Sequence, residues 1–206
     1  MRLGRTSEAI SERKRKMAEK RVVTTTSNES GLSVRDLILV AVLIAAGAVL
    51  KLTVANFLSV GGCKANFMIA SYCLAIILIR PKVYQAGIIG LLVGLVSQIP
   101  MLNATPMVNF ASELIGAVVC GILVAAFVKV AASNKTAQNV AFPAIITFLS
   151  TVVSGYTFSL IVGCALNGLD VAAVFATYSI VVLPTACMNA VFVAILTPIL
   201  KAALKK

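Results

Sequence analysis

Between about residues 35 and 200 the chain is a succession of six apolar runs, separated by short connections that hold almost all of the charge. The runs cover about residues 35–55, 66–79, 83–99, 108–130, 140–165 and 171–200, the last interrupted by Pro184 and finished near Pro198. A helix that spans a bilayer needs about 20 predominantly apolar residues, with a working range of about 17–25. Five runs reach that length. The second does so only by borrowing from residues 61–65 or by being sheltered among its neighbours. With 60% of residues hydrophobic, 12% charged and a mean hydropathy of +1.01, the chain lacks the polar surface to face water on all sides. Lipid is then its solvent. Hydrocarbon cannot hydrogen-bond a bare backbone, so the runs are read as helices. The expected fold is an all-α membrane protein with six transmembrane helices.

The charges orient it. Eight of the 18 basic residues fall between Arg2 and Arg21, interleaved with Glu8, Glu12 and Glu19. If this stretch is cytoplasmic, six spans put Arg35, Arg80, Lys82, Lys129, Lys135, Lys201, Lys205 and Lys206 on the same side, and only Lys51 and Lys64 opposite. That distribution obeys the positive-inside rule without a reversal. The expectation is therefore a cell-membrane, multi-pass protein with both termini cytoplasmic. Residues 1–34 are expected to be a basic, disordered tail, and residues 35–206 the membrane domain. The first apolar run begins too late to be the core of a cleavable signal, so it is expected to stay as a span. No aromatic residue interleaves with the tail's charges, so base stacking is not expected and nucleic acid is not a partner.

The residue inventory argues against catalysis. Histidine is absent, no phosphate-binding GxxxxGK[ST] occurs, and the five cysteines form no CxxC pair. Four of those cysteines lie in apolar runs, where a thiol behaves as a small hydrophobe. Neither a catalytic residue, a metal site nor a cofactor is expected. The composition suits a protein that binds a small molecule and moves it across a bilayer.

The candidate binding residues gather toward the outer side. Glu113 is the one acid well inside a run, and an intramembrane acid is a functional candidate by default. It can equally serve as a structural partner of Lys51 or Lys64. Lys64 follows two glycines in GGCKANF, a turn able to aim it over the bundle at a ligand carboxylate, or to let it snorkel to head groups. Asn109 lies at the start of the fourth run and Tyr156 in the outer half of the fifth. Asn189 follows Pro184 by five residues, where its amide can meet a proline-freed carbonyl, a ligand or another helix. An acid and a lysine on one side would suit a zwitterion, with Phe57, Phe67, Phe110 and Tyr156 available as apolar walls. Two pairs of small residues at helical spacing, Ala41 with Ala45 and Gly90 with Gly94, offer faces for close helix approach.

These residues resemble the substrate-binding S-components of energy-coupling factor (ECF) transporters, most closely the bacterial tryptophan-uptake members. The likeness rests on GGCK at 61–64, IRP at 79–81, VVLPTACMN at 181–189 and TPIL at 197–200, within residues 35–200. The long basic tail and the outer loop between the third and fourth runs depart from it. The resemblance implies an S-component-like bundle that captures tryptophan from outside. It also implies docking through Ala41 and Ala45 on a transmembrane coupling subunit that carries a pair of ATPases, and toppling to release substrate inside. A vitamin or another amino acid as substrate, a stand-alone secondary carrier and a non-transporting scaffold are the competing readings. The chain has no tryptophan of its own. That is either chance in a short chain or economy in a protein made under tryptophan starvation.

Overall fold

The computed structural model describes residues 31–53, 66–99, 102, 105–130 and 137–204, with the side chains of 128–130 excepted. Lys64, Phe57 and nearly all of the tail expected over residues 1–34 lie outside the described residues. Residues 34–206 form one compact unit.

Among the described residues every regular element is helical. The helices are α1 (Val34–Thr53), α2 (Phe67–Ile79), α3 (Val83–Val96), α4 (Val108–Val130), α5 (Phe142–Leu160) and α6 (Val171–Leu204). Widened π-type turns at Ala137–Ala141 and Ile161–Leu166 extend α5 at both ends. Four of the resulting rods are long and apolar enough to cross a membrane: Val34–Thr53, Val108–Phe127, Ala137–Leu166 and Val171–Ala203. The remaining two, α2 and α3, are shorter apolar helices.

The short second run finds its explanation in packing. At 1.5 Å per residue the 13 residues of α2 extend only about 20 Å. Every one of them from Phe67 to Leu78 is buried, so protein rather than lipid surrounds the helix. The helix ends at Arg80, whose backbone takes a left-handed conformation (φ 55°) and whose N–H donates to the Ile76 carbonyl. The next helix, α3, is two-faced. Tyr84, Ile88, Leu91, Leu92 and Leu95 point outward, while Gly87, Gly90 and Gly94 face α4. The approach there is close enough that a methyl on Gly90 would stand 2.5 Å from the Glu113 carbonyl oxygen and 2.6 Å from the Ala117 Cβ. The expected small-residue contact at Gly90 and Gly94 is therefore present.

The sixth run differs from its reading in the sequence, in which Pro184 interrupts the helix and Pro198 ends it. Both prolines sit inside the single 34-residue α6. Membrane helices tolerate proline because neighbouring groups re-satisfy the freed carbonyls, and the apolar run gives the helix no water to unwind into. Thr185 and Thr197 further tie their hydroxyls to the carbonyls of Val181 and Val193.

The first and last helices meet at one end of the bundle, where an Arg35 guanidinium nitrogen lies 3.5 Å from the Leu204 carbonyl oxygen. Outward-facing Ile38, Val42, Val49, Ile180, Val191, Ile195 and Ile199 supply the apolar exterior. Ala41 and Ala45 lie on the exposed side of α1, whereas Val40, Ile44 and Gly47 turn inward.

Candidate functional site

The interior of the bundle is apolar except for a chain of polar side chains running through it. Glu113 sits on the sixth residue of α4, one helical turn beyond Asn109, and is 1% exposed. Tyr72 of α2 and Ser154 of α5 are equally enclosed. They converge at Gly116, where a side chain of any size would run into the Tyr72 hydroxyl and stand 2.7 Å from the Ser154 Cβ. The missing Cβ is what lets the phenol reach the α4–α5 contact. Asn66, just before α2, and Lys51, in the last turn of α1, complete the group around Glu113. Lys51 acts through its charge, and Tyr72 and Asn66 through their polar side chains.

Several of these atoms have no hydrogen-bond partner among the described residues: Glu113 Oε2, Tyr72 Oη and Asn66 Oδ1. A buried polar group without a partner costs about 1–3 kcal/mol, more if charged. Orphaned atoms are rare in folded interiors and call for a specific reason. Here they cluster. A carboxylate, a phenol and an amide lie near one another beside a lysine, and one oxygen of each has spare hydrogen-bonding capacity. That arrangement can take an ammonium group and a carboxylate at once.

A second layer lies about one turn along α5. Asn189 is fully buried and donates to the Thr151 hydroxyl at 3.4 Å. Its Oδ1, the Ser150 hydroxyl and the Thr147 hydroxyl have no partner among the described residues. Thr147, Ser150, Thr151 and Ser154 repeat at i, i+3, i+4 and i+7, so they form one buried stripe down α5.

The residues singled out in the sequence are thus placed unequally. Glu113 lies in the upper polar cluster, and Asn189 belongs to the layer beneath it. The Asn189 amide meets Thr151 rather than a carbonyl freed by Pro184. Asn109 shares the buried face of α4, but its amide donates to the Thr105 and Pro106 carbonyls, closing the turn that starts the helix. Tyr156 stands two residues from Ser154, about 200° around the helix. Its hydroxyl pairs with that of Ser179 at 2.6 Å, and its ring lies 4.7 Å from that of Phe175. Lys64 falls outside the described residues.

Tyr72, Asn66, Ser150 and Thr151 were not legible as site residues. Tyr72 and Asn66 sit at the edge of, or inside, a run that reads as uniformly apolar. The four hydroxyls of α5 at helical spacing carry a usable signal, because such a repeat in a membrane span marks an inward face.

Among the described residues, an all-helical bundle with four spanning-length apolar rods defines a multi-pass membrane protein, here with a polar chain through its interior. The family model described as "Tryptophan transporter TrpP" matches residues 33–205, and the chain belongs to that family. It is 30% identical over 179 residues to a Bacillus subtilis (strain 168) protein named "Probable tryptophan transport protein", covering 85% of this chain and 95% of that one. No solved structure matches it.

Proposed function

We propose that this protein is the tryptophan-binding S-component of an energy-coupled uptake transporter. The observation that carries the reading is the buried Glu113, with an unpartnered oxygen amid Tyr72, Asn66 and Lys51, in a member of a tryptophan transporter family. A free amino acid is a zwitterion. Entering between Lys51 and Glu113, it exchanges one interior charge pair for two, the ammonium on Glu113 and the carboxylate on Lys51 or on Lys64. Tyr72 and Ser154 then supply neutral hydrogen bonds, and Asn109, Tyr156 and Asn189 hold the helices that frame the site. Charged groups enclosed in a low-dielectric interior interact strongly, so capture can be tight without chemistry.

In this reading the basic connections and both termini face the cytoplasm, and substrate enters from outside. Energy comes from a partner pair of ATPases acting through a transmembrane coupling subunit. The exposed Ala41–Ala45 face of α1 supplies the flat surface that subunit grips.

The absence of tryptophan from the chain makes the decisive experiment direct. Purified protein is silent in the tryptophan channel, so added tryptophan reports its own burial. The expected result is a saturable blue shift at micromolar ligand. Free-solution emission at every concentration would remove tryptophan as the substrate. Co-purification of an ATPase pair with the tagged protein tests the coupling, and uptake sustained by this chain alone in vesicles would overturn it.

A further inference from the structure

The end of the bundle where α1 begins and α6 finishes contains a second feature, unrelated to the polar chain of the interior. A cavity of about 50 Å³ opens there between the end of α2, the inner half of α4, the start of α5 and the last turns of α6. One water requires about 10–15 Å³ of such space, so the cavity admits a group of three or four water-sized atoms. Its walls are apolar and aromatic, with Phe127 and Phe142 in ring contact at 4.9 Å, and they carry two cations, Arg80 and Lys201. No acidic side chain lines it among the described residues.

Two like charges lining one small cavity repel, and Arg80 acts on Lys201 here. The Lys201 ammonium donates to the Gln138 carbonyl at 3.2 Å and the Asn139 side-chain oxygen at 2.9 Å. That uses two of its three protons and aims the third. The Arg80 side chain makes no hydrogen bond to any described residue. Its backbone is also costly. Arg80 is the only non-glycine residue at positive φ among those described, at a helix end where glycine would sit free of strain, and it precedes Pro81.

We propose that Arg80 and Lys201 form an anion site that takes a phosphate group, carried by an anionic phospholipid headgroup or present as free phosphate. The planar guanidinium supplies paired donors that match phosphate oxygens, and the ammonium supplies a point charge from the opposite wall. Basic pockets between transmembrane helices hold lipid head groups by this chemistry. The apolar and aromatic walls suit the first carbons of a lipid.

The test uses full-length protein in a neutral detergent. Thermal unfolding is followed with added phosphatidylglycerol, with phosphatidylcholine, and with sodium phosphate against chloride at equal ionic strength. Phosphatidylglycerol is expected to raise the midpoint by about 3–5 °C over phosphatidylcholine. Arg80→Gln with Lys201→Gln should abolish the difference, whereas Arg80→Lys should keep part of it. Lys82→Gln, an exposed lysine at the same end, should keep all of it. A shift reproduced by phosphate alone, and lost in the same double variant, assigns the site to the free anion. Equal midpoints in both lipids with no effect of phosphate would overturn the proposal, as would an equal loss in Lys82→Gln. If the double variant does not fold, native mass spectrometry of Lys201→Gln decides. Retention of phosphatidylglycerol at the wild-type level overturns the site, and loss supports it.

Discussion

The hydroxyl of Tyr72 rests against Gly116, where α2, α4 and α5 come close enough for a phenol to reach all three. The contact leaves no space for a methyl group. Gly116→Ala is expected to displace the Tyr72 ring or to push α5 outward at Ser154, at a cost of about 1–3 kcal/mol. Thermal unfolding measures the cost. Tryptophan titration should show a larger relative loss in Gly116→Ala than in Gly121→Ala, which would crowd only the Ala86 Cβ on α3. Equal losses would detach the Tyr72 contact from binding.

Glu113→Gln preserves shape and removes charge. If the carboxylate takes the substrate ammonium, binding should weaken by about 10- to 100-fold, the worth of one charged hydrogen bond. The weakening should be specific. Indole-3-propionate, which has no amine, should gain affinity relative to tryptophan in the variant. An unchanged ratio of the two ligands would make Glu113 a structural partner of Lys51.

Asn189→Leu removes a buried amide that links α6 to α5 through Thr151. It leaves the Thr151 hydroxyl without that donor, so a loss of about 1–3 kcal/mol is expected. The double variant with Thr151→Val should recover part of it, because both partners of the link are then apolar. Chemical or thermal unfolding of the four-member cycle measures the coupling directly.

Ala41→Phe with Ala45→Phe changes a surface that no described residue covers. Stability and tryptophan binding should stay within error of the parent. Uptake in cells should fall by an order of magnitude or more if a coupling subunit docks there. Normal uptake would move the docking face elsewhere.

How much of this was legible in the sequence varies with the kind of information. Helix positions follow from the apolar runs, since runs of this length cross lipid as helices and each is set off by charge, glycine or proline. Gly90 and Gly94 were readable as a contact because small residues at helical spacing have few other uses in a membrane. Pro184 and Pro198 misled, because proline is a breaker in water and only an irregularity among packed apolar helices. The π-type turns around α5 leave no signature in residue type. The site was legible only at its charge. Glu113 stands out in an apolar run, whereas Tyr72 is invisible until α2 is seen to lie inside the bundle. Tyr156 stands out by its position along the fifth run, and the helical repeat sets it on a different face from Ser154.

The enclosure of α2 also has a consequence for how this protein is made. Twelve of the helix's thirteen residues are walled in by protein, and a helix of that length is too short to rest stably across a membrane alone. The segment must be held by the insertion machinery, or wait at the interface, until α4, α5 and α6 have emerged to receive it. Its surroundings then resemble the heart of a soluble domain. Lesions in it should show up as degradation of newly synthesised chains long before they register as altered transport.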